Sequence, residues 1–240
     1  GIDVYLFEKA IPVPMLSFTV RKLGCVAGVA ITASHNPKEY NGYKVYAERG
    51  CQLLPSVAEK LVTYIDASDH AFDHPAHNRE KGSLYQAGKK EMDAFIEAIL
   101  GMSRVRNRAV KSDVKIIYTP LHGAGSPFVE KTLQKDGFSQ MRVVEEQMTQ
   151  DGLFSTVEQP NPEEVSALLM AIEQGEQEGA ELVIGTDPDC DRIGVAVRHK
   201  GKFQLLTGNQ IGALLTEFLT ETMENKKNGT LIKTVVTSDL

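Results

Sequence analysis

The chain has 240 residues, of which 42% are hydrophobic and 24% are charged, and it carries a formal net charge of -6 at pH 7. These values are typical of a globular protein of one or two domains and argue against the disordered and fibrous classes. The negative charge, the lack of a Lys/Arg block and the lack of any apolar run near the roughly 20 residues that span a bilayer argue against nucleic-acid binding and membrane insertion, so we expect a cytoplasmic protein.

The first part of the chain is predicted to alternate short strands with helices. In chain order we expect a strand at residues 1–7, a helix over 16–28, a buried strand at 26–31, a strand at 43–46, and helices over 55–65 and 89–100. Asn41-Gly42 is a turn signal between the second and third strands. Ser56 is expected to cap the helix that begins at Pro55.

A basic polar stretch at residues 103–112 is predicted to be a linker, and a second α/β pattern follows it. The predicted elements are a strand at 114–118, a helix from Ser126 with Pro127 at its first position, a strand at 141–144, a helix over 163–174, strands at 181–184, 193–197 and 203–206, a helix over 208–223 and a strand at 231–237. Helices that alternate with short apolar strands predict layered α/β domains with mixed sheets and flanking helices.

Neither the histidines nor the cysteines of the chain favour a metal site. His70, His74 and His77 lie close together in the sequence, but Pro75 breaks the helix that would align them, so a solvated connector is favoured over a metal site. The three cysteines have no CxxC spacing, which argues against a zinc knuckle or a disulfide framework. We expect reduced, mostly buried thiols.

The polar loop Thr32–Pro37 follows an apolar run and places Ser34 at the exit of a strand. Serine is a weak nucleophile by itself and needs neighbours that move a proton and stabilise charge. His35 is adjacent, and Lys44 lies on the strand after the Asn41-Gly42 turn. A serine beside a histidine also occurs in ordinary surface turns, so these residues alone leave both interpretations open.

A second loop offers three carboxylates at alternate positions, Asp187, Asp189 and Asp191. In an extended segment alternate side chains share a face, so three carboxylates would converge and their repulsion would favour a cation among them. Oxygen ligands favour Mg2+, Mn2+ or Ca2+ over zinc. An EF-hand is excluded, because Arg192 and Arg198 stand where that loop needs glycine and glutamate. The remaining alternative is an acidic turn without metal.

Six motifs together resemble the α-D-phosphohexomutase family, which includes phosphoglucomutase and phosphomannomutase. They follow the family's order over nearly the whole chain: Thr32-Ala33-Ser34-His35-Asn36-Pro37, Asn41-Gly42-Tyr43-Lys44, Pro120-Leu121-His122-Gly123, Pro160-Asn161-Pro162-Glu163, Asp187-Pro188-Asp189-Cys190-Asp191-Arg192 and Thr207-Gly208-Asn209-Gln210. The family's usual Thr-Pro before the first helix is Val13-Pro14 here.

The resemblance implies that Ser34 carries the phosphate of the active enzyme and binds Mg2+ together with Asp187, Asp189 and Asp191. It also implies that His35 and Lys44 are catalytic polar residues and that Arg192 binds the phosphate. In the family, phosphoserine donates its phosphate to a sugar phosphate, and the resulting bisphosphate turns round and returns its other phosphate. Glucose 1,6-bisphosphate is the expected activator.

The resemblance further implies an incomplete phosphohexomutase architecture, truncated at both ends. Residues 1–107 would be the C-terminal part of the phosphoserine domain, 108–205 the α/β domain with the metal loop, and 206–240 the start of a third α/β domain. Because the sugar-recognition and substrate-phosphate regions of the family would lie outside it, we expect this chain alone to be inactive.

The expected activity is the interconversion of hexose 1-phosphate and hexose 6-phosphate. Glucose is the first expectation for the sugar, and mannose is the second. The alternatives within the family are a phosphopentomutase and a glucose-1,6-bisphosphate synthase. A metal-assisted phosphatase that uses the same serine and a non-catalytic phosphosugar-binding fragment are the alternatives outside it. The expected partner is a sugar phosphate, with no nucleic acid and no membrane, and the oligomeric state stays open.

Overall fold

The computed structural model describes residues 1–68, 82–105, 107–223, 229–235 and 237–238. These residues divide into two units, one of residues 1–33 and 41–98 and one of residues 34–40 and 99–240. The segment 34–40, which contains Ser34, therefore belongs to the second unit. His70, His74 and His77 lie outside the described residues. The mixed α/β class predicted from the sequence is confirmed.

The first unit contains two small sheets and three helices. Its elements are β1 (Val4–Phe7), α1 (Val13–Leu23), β2 (Ala27–Ile31), β3 (Tyr43–Ala47), α2 (Pro55–Ala67), β4 (Leu84–Ala87) and most of α3 (Lys89–Gly101). β1 pairs with β4 in parallel, and β2 pairs with β3 antiparallel. α1 ends earlier than predicted because Gly24 adopts a left-handed conformation with φ of 66° and so terminates the helix at Leu23.

Two predictions for this unit need correction, and one strand was missed. β2 is not buried, because it pairs only with β3 among the described strands, and Val29 and Ile31 are 43% and 71% exposed. Ser56 does not cap α2, whose N-cap is Leu54 and makes no side-chain hydrogen bond. Strand β4 was not predicted at all.

The second unit is built on one five-stranded sheet. Its elements are α4 (Arg108–Asp113), β5 (Ile116–Thr119), α5 (Phe128–Asp136), β6 (Met141–Val143), a short 3-10 helix (Glu145–Gln147), α6 (Val165–Glu178), β7 (Leu182–Thr186), β8 (Ile193–His199), β9 (Lys202–Leu206) and α7 (Gly208–Thr222). The strand order is β6-β5-β7-β8-β9. β6, β5 and β7 are parallel, whereas β8 and β9 run antiparallel to their neighbours.

Apolar side chains cover both faces of this sheet. Successive residues of a strand point to opposite faces, so Ile117 and its neighbours Ile116 and Tyr118 enter different clusters. Ile117 packs with Val183 and with Ala171 of α6. Ile116 and Tyr118 pack with residues of α5 and β6. This double-sided core fixes the ends of β5 and β7, from which the two loops of the candidate site emerge.

In the second unit, the structure differs from three predictions: a linker, the first residue of a helix and a strand. Part of the predicted linker 103–112 is helix α4, whose first turn is capped by the Asn107 side chain accepting from the Ala109 N–H at 3.1 Å. α5 begins at Phe128, with Pro127 as its N-cap. The strand predicted at 231–237 is not formed in the described residues there, and Ile232 is 87% exposed.

The three-part division at residues 107 and 205 stays a prediction. The three cysteines are free thiols, but none is buried: Cys51 is exposed and the other two are half-buried. No helix within the described ranges combines the length and the apolar character needed to cross a membrane.

Candidate functional site

The candidate site lies in the second unit, where the parallel strands β5 and β7 end. Thr119 of β5 is paired with Gly185 of β7, so the carboxyl ends of both strands reach the same edge of the sheet. Two loops leave this edge, residues 120–125 and residues 187–192. They touch directly, because the Ala124 N–H donates a hydrogen bond to the Pro188 carbonyl at 2.8 Å. In open α/β sheets this edge is the usual place for a ligand.

Ser34 and Asp187 meet at this edge. The Ser34 hydroxyl donates a hydrogen bond to Asp187 Oδ2 at 3.0 Å. The other carboxylate oxygen, Asp187 Oδ1, accepts hydrogen bonds from the Asp191 and Arg192 N–H groups, both at 3.1 Å. Asp187 is fully buried, so each oxygen has a partner in place of water. Its carboxylate therefore closes its own loop and holds the serine at the same time.

The environment of Asp187 disfavours its charge. Burial is the largest cause that raises the pKa of this carboxyl above its ordinary value, and the carboxylate of Asp191 raises it further. Hydrogen bonds from the Arg192 N–H and the Ser34 hydroxyl lower the pKa in part. The net direction is upward. Such a crowded acidic loop is stabilised by positive charge placed nearby.

His35 lies beside Ser34 and is oriented by Arg192. Its Nδ1 is 3.4 Å from Ser34 Oγ, and its Nε2 is 3.2 Å from Arg192 Nη1. A guanidinium group can only donate, so His35 Nε2 is the acceptor of this contact. In this arrangement Nδ1 faces Ser34 Oγ while the serine proton points to Asp187.

The acidic loop differs from the prediction in shape. An extended segment was expected, but residues 187–190 form a turn that is closed by a hydrogen bond from the Cys190 N–H to the Asp187 carbonyl at 2.9 Å. The Asp187 side chain favours this turn because it binds the backbone ahead of it. Asp189 is 4% exposed, whereas Asp191 is exposed. The predicted extended conformation is therefore not formed.

The side chains of the serine segment and the acidic loop offer donors of the kind that a divalent cation binds. Ser34 and the three aspartates offer only oxygen atoms, which is the chemistry that Mg2+ prefers, and two of these residues are already in contact. Within the part of the chain that the structure describes, no three Asp, Glu, His or Cys side chains are arranged as a metal-binding group. The donors thus fit Mg2+ in kind, with Ser34 and Asp187 as the preformed pair.

Lys44 belongs to the first unit, on β3, where it is paired with Ala30 of β2. Ser34, His35, Arg192 and the three aspartates all belong to the second unit. The structure thus gathers Ser34, His35, Asp187 and Arg192 into one hydrogen-bonded group. The catalytic and ligand roles of these residues stay predictions.

Sequence reasoning missed two buried polar residues beneath the two loops, Tyr118 and Thr186. The Tyr118 hydroxyl and Thr186 Oγ1 are 2.9 Å apart, and both residues are buried. His122 is also buried, with Nδ1 donating to the Thr149 carbonyl at 3.0 Å and Nε2 2.8 Å from Thr156 Oγ1. The available signal was the presence of polar side chains at the ends of otherwise apolar strands.

A cleft of about 380 Å³ adjoins the serine segment. One wall is Pro37, Lys38 and Glu39, and the other is formed by residues of the segment 153–159, including Phe154 and Val157. This volume lies within the range of roughly 300–1,000 Å³ typical of small-molecule sites. The cleft offers both charged and apolar contacts next to the group around Ser34.

Comparison with known families gives two matches along the chain. A model described as "Phosphoglucomutase/phosphomannomutase, alpha/beta/alpha domain I" matches residues 1–72, and one described as "Phosphoglucomutase/phosphomannomutase, alpha/beta/alpha domain II" matches residues 93–201. Both halves of the described structure are thus matched by consecutive domains of the same family.

Two curated relatives are phosphoglucomutases of staphylococci. The chain is 37% identical over 242 residues to that of Staphylococcus aureus strain USA300, covering 100% of this chain and 43% of the relative. It is 39% identical over 246 residues to that of Staphylococcus epidermidis, covering 100% of this chain and 44% of the relative. The chain therefore spans less than half the length of these relatives.

Solved structures share the fold. A protein of Thermus thermophilus matches with a TM-score of 0.74 and 24% identity, over 92% of this chain and 47% of its own. A phosphoglucomutase/phosphomannomutase family protein of Burkholderia thailandensis matches with a TM-score of 0.67 and 21% identity, over 88% of this chain and 43% of its own. At these identities the likeness concerns the fold alone.

Proposed function

The chain belongs to the phosphoglucomutase/phosphomannomutase family, and from this premise we propose that the whole protein interconverts hexose 1-phosphate and hexose 6-phosphate through a phosphoserine at Ser34. The observation that carries the proposal is the hydrogen bond from the Ser34 hydroxyl to the buried Asp187 carboxylate. Glucose is the first choice of sugar and mannose the second. We further propose that the protein acts in the cytoplasm.

The reaction consists of two phosphoryl transfers at one serine. In the first, the Ser34 Oγ–P bond breaks and a bond forms between that phosphorus and a sugar hydroxyl oxygen; the proton that the sugar hydroxyl loses balances the one that Ser34 Oγ takes up. The resulting bisphosphate then turns round. In the second transfer the Ser34 hydroxyl loses its proton and attacks the phosphorus of the other phosphate, the bond from that phosphorus to the sugar oxygen breaks, and this sugar oxygen takes up a proton, so the enzyme regains its phosphate. Because little covalent chemistry is required of the protein, positioning and charge stabilisation supply most of the catalysis.

Each residue of the hydrogen-bonded group around Ser34 has a role in the proposed reaction. Asp187 orients the Ser34 hydroxyl through the hydrogen bond already formed at 3.0 Å, and its carboxylate serves as a ligand for the cation. His35 Nδ1 lies 3.4 Å from Ser34 Oγ; in the imidazolium form His35 would give this oxygen a proton when its bond to phosphorus breaks, and in the neutral form it would take the proton back when the hydroxyl attacks. Arg192, which orients His35, stabilises the anionic phosphate. Lys44 is kept as a further proton-transfer candidate.

Mg2+ is the proposed cofactor, held by Ser34, Asp187, Asp189 and Asp191. When bound, it would neutralise phosphate charge and the mutual repulsion of these carboxylates. Phosphoserine carries about -1.5 to -2 charge at neutral pH, which explains why a site lined with aspartates needs a cation and Arg192. Glucose 1,6-bisphosphate is the proposed activator, because it can phosphorylate an unmodified Ser34.

The test is the phosphorylation of Ser34 in the full-length protein. After incubation with glucose 1,6-bisphosphate and Mg2+, intact mass should increase by one phosphoryl group, and peptide mapping should assign the group to Ser34. Ser34→Ala should remove both the added mass and the mutase activity. Ser56→Ala, at an exposed serine of α2, is the matched control and should behave as wild type.

Two outcomes would contradict the proposal. An unmodified Ser34 under every sugar bisphosphate tried would remove the central residue and leave a phosphosugar-binding role. Stoichiometric release of inorganic phosphate, without sugar-phosphate product, would instead identify a phosphatase that uses the same serine. Comparing kcat/KM for glucose, mannose and pentose phosphates then assigns the sugar.

A further inference from the structure

Two glycines of the loop 120–125 lie in contacts too close for any larger residue, Gly123 against the backbone of Pro188 and Gly125 against side chains of β5 and β7. A Cβ on Gly123 would lie 2.3 Å from Pro188 Cα, and one on Gly125 would lie 2.2 Å from Tyr118 Oη and 2.7 Å from Thr186 Oγ1. These distances are far below normal contact. The loop 120–125 therefore lies directly against the Asp187 turn, and the Tyr118 hydroxyl occupies the space between them.

Tyr118 is held rigidly by its surroundings. It is fully buried, and its ring packs with Ile116 and Met141 in the core beneath α5. Its hydroxyl lies 2.9 Å from Thr186 Oγ1, and burial raises the pKa of this phenol well above its ordinary value, so the group remains a protonated hydrogen-bonding partner. A fixed hydroxyl thus reaches the last residue of β7.

Thr186 connects the Tyr118 hydroxyl to the Asp187 turn. It directly precedes Asp187, and its side chain interacts with the thiol of Cys190 at the far end of the turn, where it lowers the pKa of that thiol against the larger effect of burial. The hydroxyl of Thr186 therefore joins both ends of the turn to Tyr118. Asp187 lies between these two anchored positions, and its Oδ2 is the acceptor for Ser34.

We propose that Tyr118 is a positioning residue, whose hydroxyl, through Thr186, holds the Asp187 turn in the geometry that receives Ser34. The part of this inference that concerns cation binding rests on the proposed function, whereas the part that concerns the turn does not. Outer-shell partners of metal ligands commonly change metal affinity 10- to 100-fold when they are removed. The ring of Tyr118 serves packing, and only its hydroxyl serves the turn.

The test uses Tyr118→Phe in the full-length protein, which removes the hydroxyl and keeps the ring. The matched control is Ile117→Val, at the next residue of the same strand, equally buried and packed in the opposite cluster. The first measurement is hydrogen exchange of the Asp191 and Arg192 amides, which donate to Asp187. The second is direct titration with Mn2+ in the absence of substrate.

In Tyr118→Phe we expect the two amides to exchange about tenfold faster and Mn2+ to bind about tenfold more weakly. Ile117→Val should change neither measurement. Thr186→Val should reproduce Tyr118→Phe, and Thr186→Ser, which keeps a hydroxyl, should restore protection. If Tyr118→Phe does not fold, the comparison of Thr186→Val with Thr186→Ser tests the same inference.

The inference would be overturned if the Asp191 and Arg192 amides exchanged at the same rate in Tyr118→Phe as in Ile117→Val. This holds whatever the result of the Mn2+ titration. If these amides lose protection but the wild-type protein binds no Mn2+, the positioning role stands and the cation of the proposed function fails. The two failures are therefore distinguishable.

Discussion

Asp187 illustrates what one side chain does at this site. Its carboxylate accepts two backbone N–H groups of its own turn and the hydroxyl of Ser34, and it has no exposed surface. The sequence indicated that Asp187 and Ser34 belong to functional loops. It could not indicate that the aspartate closes a turn, because that outcome depends on where the side chain finds donors after folding, and not on alternation along a strand.

The pKa of the Asp151 carboxyl gives a prediction for a single residue. Hydrogen bonds from the Ser155 hydroxyl and from the Leu153 and Ser155 N–H groups lower the pKa of this carboxyl from 3.8 to about 2. A lowered folded-state pKa means that the charged form stabilises the fold above about pH 4, and that this contribution is lost as the pH falls through about 2.

We therefore expect Ser155→Ala to raise the pKa of Asp151 towards 3.8, because the largest cause of the shift is removed. The pH titration of the Asp151 carboxyl carbon by NMR measures this change. Ser139→Ala, at an exposed serine of the same unit, should leave the titration where it is. An unchanged midpoint in Ser155→Ala would show that the backbone N–H groups alone set the pKa.

At the scale of elements, α4 shows how a short helix is held in place. Six residues are too few for a helix that is stable by itself. Lys111 of α4 is 5% exposed, and its ammonium donates to Asp136 Oδ2 of α5 at 2.6 Å and to Ser103 Oγ at 2.9 Å. One buried ammonium thus joins the stretch before β5 to α5.

Replacing Lys111 by Met should lower the free energy of unfolding of this unit by about 2–3 kcal/mol. The estimate is below the roughly 3–5 kcal/mol for breaking a fully buried pair, because the Asp136 side chain is 23% exposed and can be solvated. Denaturant unfolding measures the loss. Lys135→Met, on the exposed surface of α5, is the matched control and should change stability by less than about 0.5 kcal/mol.

A double variant completes this test. Lys111→Met combined with Asp136→Asn should be less destabilised than the sum of the two single variants, because no unpaired charge remains. Strict additivity would show that the pair makes no net contribution and that Lys111 acts through packing on Phe138, which lies 5.5 Å below its ammonium.

The elements that the sequence predicted well are those whose apolar pattern is local. α3 and the strands on either side of the Asp187 turn were placed within about two residues of their observed bounds, as is usual for such patterns. β4 was missed because four residues carry little pattern and their partner β1 lies about 80 residues earlier in the chain. The exposed faces of β2 and α2 could not be predicted from periodicity, because burial depends on which elements cover them.

At the scale of the whole molecule, the six motifs predicted the family correctly, and two consecutive family domains match the chain. The group around Ser34 draws on segments that are more than 150 residues apart in sequence. A contact between such distant segments could be expected from the family resemblance, but not from the sequence pattern around either segment. Local propensity could place the two loops, but it could not predict which atoms of the loops meet.

The length of the relatives leads to a prediction at this scale. The chain covers 43–44% of two staphylococcal phosphoglucomutases, so we expect the 240-residue chain alone to show no hexose-phosphate mutase turnover. A coupled assay that detects glucose 6-phosphate from glucose 1-phosphate measures this, with the full-length protein as positive control. Turnover by the short chain at a rate near that of the full-length protein would contradict the prediction.

The contact between Ser34 and Asp187 also depends on chemical state. A serine ester of phosphate has no hydroxyl proton, so the donor of this hydrogen bond disappears once the phosphate is attached. An attraction between a neutral and a charged group then becomes a repulsion between two anions. The hydrogen bond between Ser34 and the Asp187 turn is therefore specific to unmodified Ser34, and under the proposed function a cation would have to bridge the two anions whenever the phosphate is attached.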